Sequence, residues 1–360
     1  MKFKGSVRFF IITGCIFLLV YMVAAVRPLG SELQLIPCWT ISVTEHVPVP
    51  DAPPLPAETA LIPFKLGQNM GYFTPDGTVA VLESFPFKAA ISPVYRAAYG
   101  PDAVNIPFYT PDRLEPAAVI GGSGFPFFDE ERIFLFMPGG ASLAQYDASG
   151  AKKWQFEGYV PIVAFASSAA GCAAGYADGT VIVFDADGTV KQTFVPGGSD
   201  YPIILGVDIT ESGTQIACVS GIDRQRFVLT QEKDGISKIV FHTYLNGNMR
   251  SPALVRFNKA GSTVFYACTD GLGIVDCATF KNKIIALPGT ILAVEETQIP
   301  GVVCVLAKEK STYSVYIVEQ FGNLIGHFSF TADYAFIDTD ADSLYVGRND
   351  TISRIRLERK

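Results

Sequence analysis

The chain has 360 residues, 49% of them apolar and only 18% charged, a composition that excludes a disordered protein and provides for a large core. Formal net charge is −7, and since residues 1–27 hold Lys2, Lys4, Arg8 and Arg27 but no acid, the remainder stands at −11. A body that acidic lacks the basic footprint of a nucleic-acid binder, so no nucleic-acid partner is expected.

Lys2, Lys4 and Arg8 precede an uncharged run over residues 9–26, FFIITGCIFLLVYMVAAV. As a helix it would reach about 27 Å, close to the hydrocarbon thickness of a bilayer. The basic residues before it place the N-terminus inside and the body on the exported side. Three readings fit. The segment is a signal anchor, or a signal peptide cleaved near Val23-Ala24-Ala25, or a lipoprotein signal, since Ile12-Thr13-Gly14-Cys15 resembles a bacterial lipoprotein box. The anchor is the expectation adopted: residues 1–27 form a single-pass transmembrane segment of the cell (inner) membrane, with the body periplasmic. All three readings export the body.

Residues 28–58 read as a linker, because Pro48, Pro50, Pro53, Pro54 and Pro56 crowd VPVPDAPPLPAE and favour an extended spacer. From residue 59 to 360 a different pattern sets in. Short apolar runs alternate with Gly- and Asp-rich turns, most plainly in PIVAFASS-AAGCAAGYADG-TVIVFDADG-TVKQTF (161–194). A turn after the first run of each unit recurs at Pro75-Asp76-Gly77, Asp129-Glu130-Glu131, Ala169-Ala170-Gly171, Glu211-Ser212-Gly213, Lys259-Ala260-Gly261, Ile299-Pro300-Gly301 and Asp340-Ala341-Asp342. Their spacing averages about 44 residues, the length of a four-stranded propeller blade. The expected fold is all-β, a seven-bladed β-propeller of four-stranded antiparallel blades behind an N-terminal transmembrane helix.

The run after each turn is markedly apolar (TVAVL, IFLFM, GCAAGY, QIACV, VFYAC, VVCVL and SLYV), as expected of strands sandwiched on both faces. The last run of several units carries lysine (Lys152, Lys153, Lys191, Lys238, Lys281 and Lys283), which suits outer strands, where lysine blocks edge-to-edge pairing. Only two runs follow the seventh turn, so the last blade lacks its outer strand; residues 59–66, TALIPFKL, are expected to supply it and close the ring. The stretch 85–128 is longer than its counterparts, rich in Phe, Tyr and Pro, and marks an excursion.

The segment Tyr146-Asp147-Ala148-Ser149-Gly150-Ala151-Lys152-Lys153-Trp154 resembles the quinoprotein-type propeller repeat, with Gly150 and Trp154 at the family's offset. The overall plan is similar to WD-repeat propellers, although no Trp-Asp dipeptide occurs. The quinoprotein-like enzymes generally carry a vicinal cysteine pair, absent here, so the resemblance implies an exported, non-enzymatic scaffold. It implies no cofactor.

Chemistry-bearing motifs are few. The seven cysteines include no CxxC pair, and Cys172, Cys218, Cys268 and Cys304 fall in the apolar second runs, where they read as small buried hydrophobes. Three scattered histidines, His46, His242 and His327, make neither a triad nor a metal site. Asp338-Thr339-Asp340-Ala341-Asp342 matches the opening of a calcium loop but lacks its later Gly and Glu, and reads as an acidic turn. A protein partner is expected on the face built by second-to-third-strand loops and blade crossings. The candidate docking residues there are Tyr201, Arg224, Arg226, Met249 and Arg250, an aromatic, arginine and methionine vocabulary suited to interfaces. The alternative functions are a small-ligand or glycan sensor using the central channel, and a degenerate enzyme.

Overall fold

Strands that are apolar on both faces need cover on both, and stacking small sheets around an axis provides it. The computed structural model, which describes residues 13–15, 17–18, 33–45 and 60–359, adopts that arrangement with 31 strands among the described residues. β1 (Leu33–Ser42) is first in sequence and last in the ring. β2 (Ile62–Leu66), β3 (Asn69–Phe73) and β4 (Val79–Ser84) form a three-stranded antiparallel sheet. β5 (Lys88–Ile91) pairs with β6 (Arg96–Tyr99), and β7 (Asn105–Phe108) with β8 (Ala118–Gly121).

Regular four-stranded sheets follow. The first holds β9 (Phe125–Asp129), β10 (Arg132–Phe136), β11 (Leu143–Tyr146) and β12 (Lys152–Phe156). The second holds β13 (Ile162–Ser168), β14 (Gly171–Tyr176), β15 (Val181–Asp185) and β16 (Val190–Phe194). Next come β17 (Ile204–Ile209), β18 (Gln215–Ser220), β19 (Arg226–Lys233) and β20 (Ile236–Tyr244), then β21 (Val255–Phe257), β22 (Thr263–Cys268), β23 (Gly271–Asp276) and β24 (Asn282–Ala286). β25 (Thr290–Glu296), β26 (Val302–Glu309), β27 (Thr312–Glu319) and β28 (Leu324–Thr331) make the next sheet. The last joins β29 (Ala335–Asp340), β30 (Ser343–Arg348) and β31 (Thr351–Arg359) to β1.

Each of the seven counted turns falls in a different one of the seven sheets of three or four strands, so the all-β, seven-bladed plan stands. The long stretch 85–128 forms a further, split unit. Its two hairpins meet through the backbone pair Arg96–Tyr109, and β5 packs against β2 and β3 on one side and β9 on the other.

The core is a succession of apolar layers between neighbouring sheets. Phe134, Cys172 and Phe184 fill the layer between β9–β12 and β13–β16; Ile204, Ile216 and Val228 join the next pair. The second strands β14 and β22 are buried at every residue, and Cys172, Cys218, Cys268 and Cys304 all lie on second strands, as buried thiols without disulfides. The lysines 152, 153, 191, 238 and 283 sit on the outermost strands β12, β16, β20 and β24.

Two expectations are corrected. The ring is closed by pairing the chain's ends, but the latch is β1, not residues 59–66: Leu33 to Ser42 run antiparallel to Arg359 back to Thr351. Ile62–Leu66 pairs with β3 in the first sheet. The error came from the turns. Pro75-Asp76-Gly77, the stronger hairpin signal, joins β3 to β4, while the weaker Gly67-Gln68 joins β2 to β3, which left residues 59–66 looking surplus. Residues 33–42, read as linker, contain Pro37; an outer strand tolerates it, and the register shifts just there. Trp39 is therefore a latch residue. It meets Phe73 and Tyr345 edge-on or tilted and donates to the Pro75 carbonyl at 3.3 Å.

The transmembrane expectation over residues 9–26 falls largely outside the described residues, as does the proline cluster at 48–56. Residues 13–15 and 17–18 are helical, and among the described residues no helix is long and apolar enough to cross a membrane.

Candidate docking face and inner-strand cluster

The loop β18–β19 and the crossings on either side of that blade bring together most of the residues singled out in sequence. Ser199 and Asp223 hydrogen-bond side chain to side chain, tying the crossing before β17 to the β18–β19 loop. Ser199 Oγ accepts from the Tyr201 N–H at 3.1 Å, so the backbone of this 67%-exposed tyrosine is fixed while its ring faces solvent. Arg224 and Arg226 both lie over the ring of Tyr244, at 5.5 and 5.6 Å from its centroid. Arg226 donates through Nη1 to the Pro196 carbonyl at 3.0 Å, leaving its enclosed Nε without a partner. Gly198 makes room for this: its φ is +92°, and a Cβ there would come within 2.7 Å of the Arg226 side chain.

Met249 is placed by Gln225, a buried residue that donates to the Met249 carbonyl at 2.5 Å and accepts from its N–H at 3.0 Å. Arg250, the next residue, is exposed on the same crossing. Sequence reasoning missed Gln225 and Tyr244. The signal for Tyr244 was available, an aromatic just where an outer strand gives way to a crossing; Gln225, between two arginines, offered none.

A second cluster lies at the other end of the inner strands. Close to the C-terminal ends of β9, β13, β17, β21, β25 and β29 stand Asp129, Ser167, Asp208, Arg256, Glu295 and Asp338, one from each successive blade. Arg132 Nη2 bonds Asp129 at 2.8 Å and its Nε donates to Ser167 Oγ at 3.0 Å. Arg256 Nη1 bonds Glu295 at 2.7 Å, and Asp208 Oδ2 accepts the Phe257 N–H at 2.6 Å. Burial pushes Asp208 up to about 7, against the Phe257 hydrogen bond and the Arg256 charge. Burial, then the Glu295 charge, pushes Asp338 up to about 6, and burial raises Glu295 as well.

The acidic string splits between environments. Asp338 belongs to this inner cluster, whereas Asp342, in the β29–β30 turn, approaches Arg354 of β31 at 3.5 Å. Among the described residues no group of three or more His, Cys, Asp or Glu is arranged to hold a metal ion. The buried thiols are poor nucleophiles: burial pushes Cys218 and Cys304 up to about 12. The Trp154 of the sequence repeat stacks on Phe184 with centroids 5.6 Å apart and donates to Gln145 at 2.7 Å, a packing role between blades.

A family model described as a beta-propeller protein matches residues 1–359. An uncharacterized protein of Treponema pallidum (strain Nichols) is 34% identical over 360 residues, covering 99% of this chain and 95% of that one. Among solved structures, BamB from Moraxella catarrhalis superposes with a TM-score of 0.62 at 12% identity, over 90% of this chain and all of that one. A chain of the Mitotic Checkpoint Complex gives 0.54 at 11% identity, covering 73% of this chain and 87% of its own. The Cps50 (Swd1) β-propeller domain of Myceliophteria thermophila gives 0.50 at 11%, covering 74% and 93%. At those identities the likeness is one of fold.

Proposed function

The chain belongs to this family of β-propeller proteins, and on that premise we propose that it is a non-enzymatic scaffold that docks a protein partner on its crossing-loop face. The observation that carries the reading is the cluster of Tyr201, Arg224, Arg226 and Tyr244. Two guanidinium groups share one half-exposed aromatic ring beside a second, freely exposed one, on loops fixed by Ser199, Asp223 and Gln225. Rigid aromatic and arginine side chains supply binding energy at little ordering cost. BamB and the Mitotic Checkpoint Complex chain share the fold, and the latter is part of that complex. The quinoprotein-like turn at Tyr146 to Trp154 and the basic-then-apolar N-terminus support an exported propeller, tethered at the inner membrane and working in the cell envelope.

The test is photocrosslinking in intact cells from positions 201 and 244, with position 193 on the rim strand β16 as control. A discrete adduct from the first two that is absent at 193, and lost on Arg224→Glu, is expected. Equal labelling at all three positions would sink the docking face. A second reading, a small ligand in the channel, draws on the Asp208, Arg256, Glu295 and Asp338 cluster; it predicts instead that Arg256→Gln and Asp338→Asn alter function while Arg224→Glu does not.

A further inference from the structure

Propeller blades end in an outer strand whose far edge has no partner, and natural sheets guard such edges with charge, proline, brevity or a covering loop. Counting the split unit with the seven blades, seven of the eight outer strands among the described residues are guarded. β12, β16, β20 and β24 carry lysine, and β4 carries Glu83, which bonds Arg96 at 3.2 Å. β1 has Pro37 and a shifted register. β8 is four residues long, and its Val119 carbonyl abuts Gly150 so closely that a Cβ there would clash. The exception is β28, LIGHFSFT, eight residues with no formally charged side chain and no proline. Its register irregularity lies near its start, leaving residues 326–331 evenly paired to β27. Leu324 and Ile325 are 40% and 45% exposed, and no described strand covers the far edge.

We infer that β28 is a self-association edge, pairing antiparallel with β28 of a second copy of this chain to make one continuous eight-stranded sheet across a two-fold axis. Charge selects the occupant. Against itself, each lysine-bearing outer strand brings like charges together, and β28 brings none; a two-fold axis normal to the sheet makes the edge its own complement. The exposed His327 and Ser329 then align with the corresponding face of the partner, and the unpaired main-chain groups of both edges are satisfied.

The experiment is sedimentation equilibrium of the purified full chain in density-matched non-ionic detergent, across the micromolar range. A monomer–dimer equilibrium is expected. Ser329→Lys weakens it about tenfold, since the axis places the change in the interface twice, and Ser329→Glu does the same. Mixing the two variants restores wild-type dimerisation, which a folding defect would not allow. A wild-type chain that stays monomeric, a dimer that survives both substitutions, or a mixture that fails to recover would each overturn the proposal. The docking-face reading is independent of the result, since β28 contributes no residue to it.

Discussion

The blades from β13 to β28 and the stretch from β2 to β8 meet the same requirement, cover on both faces of small sheets, by different means. In the first region each second strand is buried along most of its length, and the layers between sheets run together into large clusters; one joins residues of β17 through β27. In the second region the sheet is three-stranded or split, and the layer between β3 and β5 is centred on Met70, Phe85 and Ala89 alone. Tyr95, Ala97, Ile106, Phe108 and Ile120 join the apolar layer against β9 to β11, and to that layer the second region adds a single buried cation. Arg96, 4% exposed, bonds Glu83 at 3.2 Å and donates to the Thr110 and Arg113 carbonyls at 2.6 and 3.3 Å, with its guanidinium 5.2 Å from the Tyr109 ring. Layers of dispersion and apolar burial are redundant and tolerate sequence drift; a polar hub is not redundant.

That contrast is broken most directly at the hub. Arg96→Met is expected to cost about 3 kcal/mol, because it strands the two carbonyls and Glu83 while leaving volume roughly intact. Hydrogen exchange should rise over residues 88–121 and leave β13 to β28 protected. Uniform loss of protection would mean that the two regions fold as one unit. Next in size is the seam. Trp39→Ala removes a partly buried ring from Phe73 and Tyr345 and is expected to cost about 2 kcal/mol, with β1 exchanging first. A chain losing β1 protection without any loss of global stability would show that the latch only covers an edge.

The same contrast decides what could be read from sequence. Where one blade repeats the next, second strands such as GCAAGY and VFYAC and lysine-marked outer strands declared their positions, because full burial and edge protection each impose a composition. In the irregular region the local signals misled. Pro75-Asp76-Gly77 outweighs Gly67-Gln68 as a turn, and Pro37 disguises a strand whose partner lies over 300 residues away. Long-range pairing leaves no local trace. The inner cluster had a trace that went unused: Asp129, Ser167, Asp208, Arg256, Glu295 and Asp338 recur at about 40 residues, one blade apart. The crossing residues were legible as types, but only the fold puts Arg224 and Arg226 on the Tyr244 ring.

The regular region has one polar cost of its own, and pH exposes it. Asp208 is raised to about 7 in the folded chain and returns to the ordinary range on unfolding, so between those values the native state holds more protons. Stability is then highest below the ordinary aspartate range and falls as pH climbs toward 7. Asp208→Asn keeps an acceptor for the Phe257 N–H and abolishes this slope. A gain of about 2 kcal/mol at pH 8, vanishing by pH 4, is expected from urea melts; it is less than the shift alone would give, since Arg256 loses a neighbouring charge. An unchanged pH slope in the variant would move the titration to Asp338 or Glu295.

The smallest expected effect on stability is the most telling for function. Tyr244 is half exposed, and what holds it is the pair of guanidinium groups lying over its ring and an edge contact with His242. Cation–π pairs at such exposed sites are worth about 0.5–1 kcal/mol, and part of that returns when the arginines are rehydrated. Tyr244→Ala should therefore lower the unfolding free energy from urea melts by less than about 0.5 kcal/mol, while releasing Arg224 and Arg226 from a shared platform and abolishing the adduct from position 201. Tyr244→Phe, which keeps the ring face, should retain both. If alanine there unfolds the blade, the ring is part of the packing and the crossing face loses its claim as a docking surface. If alanine leaves the adduct intact, the partner reads some other part of that face.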